Sequence, residues 1–237
     1  MSEARNAPGA APQKPMRLLI VGYGRMGRLV EQLALEQGDQ IAGRIDVDTG
    51  EWPAHADVAI DFSTAEALAD NFPRYLEQRL PAVIGTTGWS SRMAEYREKA
   101  EAAQIGVVAA ANFSIGVNLF ERMVSEAARL MREQHQYGAW IHEQHHAAKR
   151  DAPSGTAILL RDAMLRTGYE PAIDVSSSRA GKVPGTHTVG FDSESDTIEL
   201  THRARDRRGF ASGALTAARW VIGREGWYSM ADVLGLQ

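Results

Sequence analysis

The sequence contains no cysteine, which excludes disulfides, thiolate nucleophiles and cysteine-ligated zinc or iron–sulfur sites. It has no excess of basic charge either, with 26 Lys and Arg against 30 Asp and Glu, so no overall positive field attracts nucleic acid or an anionic membrane. No apolar run reaches the roughly 20 residues of a membrane helix, and no secretory signal is recognisable. We therefore expect a cytoplasmic protein with no nucleic-acid partner and no membrane partner, in which any anion site is local.

What the chain does contain suits a globular protein of one large or two small domains. Its 237 residues are 44% hydrophobic and 24% charged, which are ordinary values for packed domains. The opening stretch is different, because residues 1–15 hold three prolines among Ala, Gly and polar residues and offer no apolar run to bury. We predict that residues 1–15 form a disordered tail.

Residues 16–112 alternate short apolar runs with amphipathic stretches, a pattern typical of a parallel sheet with helices on both faces. The predicted strands are 17–21, 41–46, 57–62, 83–84 and 107–111. A helix with apolar residues at three- and four-residue spacings follows the first strand and should end near Gly38. Ser63 and Glu66 have the spacing of a capping box for another helix, which Pro73 should kink or end.

The pattern changes after about Asn112. The next predicted elements are a helix over 117–131, an extended run over 140–146, a helix beginning near Ser154, and β-rich runs over 186–191 and 197–202. This order indicates a mixed α+β domain with an antiparallel sheet, after which a helical stripe over 214–222 returns to the first domain. We predict an α/β fold, a Rossmann-like doubly wound parallel sheet formed by 16–112 and 208–237, with an inserted α+β domain formed by 113–207.

The run Gly22-Tyr23-Gly24-Arg25-Met26-Gly27 matches the G-x-G-x-x-G of dinucleotide-binding folds and lies between a predicted strand and a predicted helix. In that setting the glycines permit a tight turn, close approach of a pyrophosphate and close helix packing, while the helix N-terminus supplies free N–H groups. Asp46 lies 19 residues after Gly27, near the spacing of the acid that binds the adenosine ribose. These residues predict a dinucleotide cofactor, and a glycine turn without a ligand is the alternative.

Asp46 also bears on the choice between the two nicotinamide dinucleotides. Like-charge repulsion between Asp46 and a 2′-phosphate favours a free ribose hydroxyl, and therefore NADH. Arg25, Arg28 and Arg44 lie close enough in sequence to receive that phosphate, so NADPH stays open as a second cofactor.

The densest polar stretch is residues 143–156, with the sequence EQHHAAKRDAPSGT. Adjacent side chains of an extended segment point to opposite faces, so His145 and His146 should differ in role unless the strand ends there. A histidine can deliver the proton that reduction of a C=N or C=C bond needs after hydride transfer, and Lys149 adds a positive charge beside it.

The second half of this stretch has the features of an anion site. Pro153 is compatible with a first helical turn, and the N–H groups of Ser154, Gly155 and Thr156 would then bind a carboxylate or a phosphate. A solvated turn in which Ser154 merely caps a helix is the alternative.

Two other hypotheses concern a histidine metal site and a cluster of arginines. His142, His145 and His146 could ligate a metal, but no cysteine and no convincing carboxylate partner at ligand spacing accompanies them, and we predict no metal site. Residues 202–208 contain four arginines and one aspartate, which indicates a solvated edge or, alternatively, a subunit or anion contact.

These motifs resemble those of the dihydrodipicolinate reductase family, the 4-hydroxy-tetrahydrodipicolinate reductases of bacterial lysine and diaminopimelate biosynthesis. The most specific likeness is the combination of His-His-x-x-Lys with Asp-Ala-Pro-Ser-Gly-Thr over 145–156. The resemblance covers nearly everything after the tail and includes, in order, 22–27, 57–63, 85–88, 110–114 with Gly116, 198–204 and 210–214.

The resemblance implies an oxidoreductase that reduces 4-hydroxy-tetrahydrodipicolinate with NADH or NADPH. It implies that His145 is the general acid, that Lys149 is a second proton-donating or charge-stabilising group, and that the dicarboxylate is bound by His146, Ser154, Gly155 and Thr156. The cofactor residues implied are Gly22, Tyr23, Gly24, Arg25, Met26, Gly27, Asp46, Gly85, Thr86, Thr87, Ala110, Ala111, Asn112, Phe113 and Arg207. Family members are usually homotetramers assembled through the sheet of the second domain, so 113–207 would serve substrate binding and oligomerisation.

The sequence departs from the family pattern at a few places. Position 47 is Val where some members have an Arg that accepts the NADPH phosphate, and residues 211–213 read Ala-Ser-Gly where Ala-Asn-Gly is more familiar. The segments 46–57 and 167–179 are also short. These departures bear on cofactor choice and tetramer packing, and all the catalytic residues remain.

Two other functions share part of these features. Another Rossmann imine or amino-acid dehydrogenase would have the glycine loop without needing the Ser-Gly-Thr turn. A non-catalytic NADH-sensing protein would bind the cofactor without turnover.

Overall fold

The computed structural model describes residues 14–47 and 50–236, so most of the predicted tail over 1–15 lies outside the described residues. The strands are β1 Arg17–Val21, β2 Gln40–Ile45, β3 Val58–Asp61, β4 Ala82–Ile84, β5 Gly106–Ala109, β6 Gly138–His145, β7 Ile173–Arg179, β8 Thr186–Asp192, β9 Thr197–Arg203 and β10 Gly226–Tyr228. The helices are α1 Arg25–Glu36, α2 Ala65–Glu77, α3 Met93–Ala102, α4 Ile115–Met131, α5 Gly155–Arg166, α6 Arg208–Val221 and α7 Met230–Leu234, with a short 3-10 helix at Ser90–Arg92. No helix of the described residues is long and apolar enough to cross a membrane.

The first sheet has the strand order β10-β5-β4-β3-β1-β2, and all of its neighbouring strands are parallel. Successive side chains of a strand point to opposite faces, so Leu18 packs against α1 and α6 while Leu19 packs against α2 and α3. Helices therefore cover both faces, which explains why β1, β3, β4 and β5 are buried along nearly their whole length. The Rossmann-like doubly wound sheet is confirmed.

The chain order reverses direction across this sheet between β1 and β3. Gly22 follows β1 with φ of +82°, and a Cβ there would lie 2.5 Å from the Phe62 carbonyl carbon. Only glycine allows these two loops to approach so closely. Such a reversal opens a crevice at the carboxyl ends of the strands, where doubly wound folds bind their ligands.

The last long helix, α6, packs in the first core together with α1 and residues of β1 and β3. The predicted return of the chain after residue 207 agrees with this packing. The boundaries 16–112, 113–207 and 208–237 stay predictions.

The second sheet has the order β7-β6-β8-β9, and its pairing corrects the prediction of an antiparallel sheet. The β6–β8 and β8–β9 pairs are antiparallel, but β6 and β7 are parallel. Strand β7 was not predicted, because its three central serines interrupt the apolar alternation typical of a strand. Helix α5 provides the crossover that a parallel pair requires.

One face of the second sheet changes from apolar to ionisable side chains along its length. Ala139 and Ile141 of β6 pack with α4 and α5 in an apolar core. Glu143 and His145 continue the same two-residue alternation on that face, beyond the apolar core. The face is therefore apolar at one end and ionisable at the end that meets the first domain.

One local prediction needs correction, one of two alternatives is excluded, and two short elements were not predicted. Helix α2 is capped by Thr64, whose side chain accepts the Ala67 N–H, because the Ser63 hydroxyl is bonded to Asp61 instead. Pro73 lies inside α2 without ending it, since the helix continues to Glu77. The short elements β10 and α7 were not predicted, and a strand of only three residues offers too little periodicity to detect.

Candidate active site

A cleft of about 950 Å³ lies between the strand ends of the first sheet and the polar end of the second sheet. The first domain contributes Thr87, Ala111 and Asn112, and the second contributes His145, His146, Lys149, Ser154, Gly155, Thr156, Lys182, Gly185, His187, His202 and Arg207. The fold therefore brings all the predicted catalytic and substrate-binding residues into one cleft.

His145 is the last residue of β6 and is 8% exposed. Its Nδ1 is hydrogen-bonded to the Glu143 carboxylate, and its Nε2 lies 3.0 Å from the place a Cβ on Gly185 would take. Burial lowers the pKa of His145, although the bond to Glu143 opposes that shift. Without an anionic ligand, the neutral imidazole is therefore favoured.

His146 also lines the cleft, which is the exception that the sequence analysis allowed for a strand that ends at this point. The reason is that β6 ends at His145, and the chain turns before the alternation of the strand can place His146 on the other face.

The turn before α5 differs in detail from the prediction. Ser154 is the N-cap, and its hydroxyl accepts the Ala157 N–H at 3.2 Å, so Pro153 precedes the cap instead of opening the first turn. The Ser154 N–H donates to Glu143 at 3.3 Å. The N–H groups of Gly155 and Thr156 are thus the ones that this helix N-terminus presents to an anion.

Lys149 Nζ lies 2.8 Å from both carboxylate oxygens of Asp151. Both residues line the cleft, and the Lys149 ammonium lowers the pKa of Asp151. An anionic ligand that reaches Lys149 must therefore compete with an exposed carboxylate.

Glu143 is a site residue for which the sequence analysis gave no role. It is fully buried, and one carboxylate oxygen accepts from Arg179 at 2.7 Å while the other is bonded to His145. Burial raises the pKa of Glu143, but hydrogen bonds from Arg179, Ser177 and His145 outweigh it and lower the pKa to about 2. The two-residue spacing of Glu143 and His145 on a strand was the available signal.

His187 and His202 were missed as well. They face each other on β8 and β9, and both line the cleft. His187 Nε2 lies 3.1 Å from the Ser154 hydroxyl, and its ring stands edge-on to that of His145, with 5.0 Å between centroids. Burial lowers the pKa of His187 to about 4.

The histidines considered as metal ligands do not form a group, because His142 lies on the opposite face and is bonded to Ser176. Glu143, His145 and His187 do have potential ligand atoms within 4.8 Å of one another. Both Glu143 oxygens are already bonded to donors, and the charges of Arg179 and Lys149 repel a cation. The absence of a metal site stays a prediction.

Two further depressions continue the cleft along the first domain. One, of about 690 Å³, is lined by residues that include Gly22, Gly24, Asp46, Val47, Phe62 and Ser63. The other, of about 430 Å³, is lined by Gly24, Arg25, Met26, Phe62, Ser63, Gly85, Thr86, Thr87 and Arg207. Gly24 is common to these two, and Thr87 and Arg207 are common to the second and the main cleft. We call the whole path from Asp46 to His145 the channel.

The glycine loop fits a dinucleotide at the middle of this channel. A Cβ on Gly24 would meet no atom within 4 Å, so its open side faces the channel. Gly24 caps α1 without a side-chain hydrogen bond, and the first turn has no acidic residue, so free N–H groups and the helix dipole are available to a pyrophosphate. Gly27 has a packing role instead, because its Cβ would lie 2.3 Å from the Gly22 oxygen.

Four of the predicted cofactor residues lie behind the channel lining, namely Tyr23, Gly27, Ala110 and Phe113. The Tyr23 hydroxyl is bonded to Glu31, and Phe113 is 1% exposed. The cofactor role of these four residues stays a prediction.

Asp61 is a second buried carboxylate that the sequence analysis did not single out. It accepts hydrogen bonds from Ser63 N–H at 2.9 Å, the Ser63 hydroxyl at 2.6 Å, Thr86 at 2.8 Å and Tyr75 at 2.7 Å. Ser63 and Thr86 line the channel, so Asp61 connects the loops after β3 and β4 that form its wall.

Comparison with known proteins agrees with this arrangement. The family described as "Dihydrodipicolinate reductase, N-terminus" matches residues 16–113, and "Dihydrodipicolinate reductase, C-terminus" matches residues 116–234. A 4-hydroxy-tetrahydrodipicolinate reductase of Christiangramia forsetii is 36% identical over 92% of this chain and 98% of its own, and that of Zymomonas mobilis is 39% identical over 92% and 96%.

A solved structure has the same fold. The dipicolinate-bound dihydrodipicolinate reductase from Paenisporosarcina sp. TG-14 superposes with a TM-score of 0.78 at 21% identity, covering 92% of this chain and 99% of that one. The family matches span both domains, and the relatives are matched over nearly their full length. The chain therefore belongs to the dihydrodipicolinate reductase family.

Proposed function

We propose that this chain reduces 4-hydroxy-tetrahydrodipicolinate to tetrahydrodipicolinate in lysine and diaminopimelate biosynthesis, with a nicotinamide dinucleotide as hydride donor and His145 as proton donor. The observation that carries the proposal is the channel, which joins a glycine loop suited to a pyrophosphate with a cationic cleft suited to a dicarboxylate. The family to which the chain belongs is named as a reductase family, and its curated relatives are named for this substrate.

Residues of the main cleft would hold the substrate. The N–H groups of Gly155 and Thr156 at the start of α5, together with His146 and Lys149, supply the donors and positive charge that two carboxylates require. The dipicolinate bound to the Paenisporosarcina enzyme is a planar dicarboxylate with this chemistry. Holding both carboxylates fixes the ring relative to the channel, which hydride transfer requires.

The bound cofactor supplies the hydride, and His145 supplies the proton. Its Nδ1 is engaged by Glu143, which leaves Nε2 as the atom that faces the cleft. Because a dicarboxylate brings negative charge close to the ring, its binding favours the imidazolium form, which has a proton on Nε2 to deliver to the reduced ring.

The surroundings of Asp46 support NADH as the preferred cofactor. Arg44 is paired with Glu31, and the guanidinium groups of Arg28 and Arg44 lie over the Tyr23 ring, at 5.5 and 5.7 Å from its centroid. Neither is free to receive a 2′-phosphate without breaking these contacts. Asp46 itself lines the channel, and NADPH would have to overcome its charge.

We also propose that the protein is a homotetramer assembled through the second sheet. Helices α4 and α5 cover one face of that sheet, while the opposite face carries Trp140, which lies across Gly190 and is only partly buried. Light scattering of the purified protein should give the mass of four chains. The cytoplasmic location stays a prediction.

A coupled assay with the upstream synthase, run separately with NADH and NADPH, tests the reaction and the cofactor together. We expect turnover with NADH as the better donor, and a loss of about 10² to 10⁴ in kcat for His145→Gln. His135→Gln, in an exposed turn outside the cleft, is the matched control and should keep full activity. Unchanged turnover in both His145→Gln and Lys149→Ala would refute the site assignment.

Binding of pyridine-2,6-dicarboxylate separates the reductase from the two alternative functions. A reductase should be stabilised by this compound together with the cofactor, as measured by thermal unfolding. A non-catalytic NADH-binding protein, or a dehydrogenase of another substrate, should respond to the cofactor alone.

A further inference from the structure

We propose that Glu143, held by Arg179, is the positioning residue for His145, and that it keeps the imidazole in the tautomer and orientation that deliver a proton from Nε2. The inference rests on the proposed function, in which His145 is the proton donor. It gives a function to the buried Glu143–Arg179 ion pair, which has no direct role in the binding of substrate or cofactor proposed above.

The strand geometry brings the two side chains together. Glu143 and His145 are two residues apart on β6, so both point to the face of the second sheet that meets the first domain. An ionised carboxylate can only accept hydrogen bonds, so the His145 nitrogen bonded to it must carry the proton. The proton of the neutral ring is then on Nδ1, and Nε2 is left open on the cleft side.

Arg179 makes this arrangement rigid. It is the register partner of His145 on β7, and its guanidinium donates to Glu143 at 2.7 Å and also to the Ser178 and Asp151 carbonyl oxygens. The Ser154 N–H donates to the same Glu143 oxygen. The carboxylate is therefore fixed through both of its oxygens, by groups that are themselves anchored.

The charges around His145 show why the carboxylate matters. The groups facing the ring are Glu143 on β6, Arg179 on β7, His187 on β8 and Lys149 in the following turn, with Asp151 beside Lys149 and His202 behind His187. Burial, Lys149 and Arg179 lower the pKa of His145, whereas Glu143 raises it. Without the Glu143 charge, the ring would lose the chief support for its imidazolium form.

The Glu143→Gln variant tests this without changing side-chain length. The amide can still accept from Nδ1 but carries no charge, so the pKa of His145 should fall. A general acid loses activity as pH rises above its pKa, so the alkaline limb of the kcat–pH profile should move to lower pH by about one unit. The KM for the substrate should change little, because Glu143 does not line the cleft.

The Arg179→Gln variant should act in the opposite direction. Arg179 lowers the pKa of His145, so its removal should move the alkaline limb to higher pH. Glu121→Gln breaks the Glu121–Arg166 ion pair between α4 and α5, away from His145, and is the matched control that should leave the profile in place. If Glu143→Gln does not fold, Arg179→Gln and Glu143→Asp, which retains the carboxylate, still give the test.

A second readout does not depend on turnover. Ring ¹⁵N shifts of His145, assigned by comparison with His145→Gln, should show Nδ1–H in the ligand-free protein and a lower titration midpoint in Glu143→Gln. A kcat that falls equally at every pH, with tautomer and titration unchanged, would overturn the positioning role. A wild-type protein with this coupling but without turnover of the substrate would instead refute the proposed function.

Discussion

The buried carboxylate of Asp61 offers a quantitative test of how the channel wall is built. Asp61 is fully buried, and the side chains of Thr86 and Tyr75, also buried, donate to it at 2.8 and 2.7 Å. Burial, reinforced by the Asp61 charge, raises the pKa of Tyr75 well above its ordinary value, so its hydroxyl remains a donor. In Asp61→Ala both donors lose this partner, and bulk water cannot replace it easily because Tyr75 is fully buried and Thr86 is only 5% exposed.

Each buried donor left without a partner costs about 1–3 kcal/mol, so we expect Asp61→Ala to lower the free energy of unfolding by about 4 kcal/mol. Asp61→Asn, which keeps one acceptor oxygen, should cost about half as much. Urea unfolding measures both, and Asp162→Asn, in an exposed ion pair with Arg161, is the control expected to cost about 0–1 kcal/mol.

The same variants should also weaken cofactor binding, because Ser63 and Thr86 line the channel. The KM for NADH should rise in Asp61→Asn and stay unchanged in Asp162→Asn. An Asp61→Ala protein that loses less than about 1 kcal/mol would refute the reasoning, because it would mean that the freed donors find other partners.

Two further predictions concern the glycine loop and pH. Gly24→Ala should raise the KM for NADH about tenfold with little loss of stability, because the added methyl enters the open channel. Gly27→Ala should instead destabilise the fold by about 1–3 kcal/mol, since its Cβ meets the Gly22 oxygen; equal effects of the two changes on unfolding would contradict this assignment. Because burial lowers the pKa of His187 to about 4, the unfolded chain binds the proton first, and stability should fall as pH drops from about 6.5 to about 4. Urea midpoints across that window should change less in His187→Gln than in the wild type.

Local sequence patterns predicted the first domain well. The apolar runs of β1 and β3 are buried on both faces of a parallel sheet. A strand of this kind can be predicted from its own apolar residues, without knowledge of its neighbours in the fold. β7 was missed because its Ile-Asp-Val-Ser-Ser-Ser-Arg sequence has few apolar residues, and its pairing with β6 depends on a crossover through α5. The parallel β6–β7 pair therefore required the tertiary structure.

The candidate site divides in the same way. His145, His146, Lys149 and the Ser154–Thr156 turn lie within one short stretch, so their types and spacing were enough to predict that they act together. In the structure these residues share one cleft because β6 ends at His145 and α5 begins after its cap, Ser154. The end of the strand and the helix cap depend only on nearby residues, so a local sequence motif could predict this part of the site.

By itself, the sequence determined the parallel α/β fold, the glycine loop with Asp46, and the motif of the dicarboxylate site. Only the tertiary structure joined these into one channel, placed Arg179 against Glu143 and connected the channel loops through Asp61. The physical reason is the distance along the chain between the residues that interact. The features predicted from the sequence depend on residues that are adjacent in the chain or lie in one strand or helix. The features that required the structure depend on strand register and loop contacts between distant residues, such as Glu143 and Arg179, which are 36 positions apart.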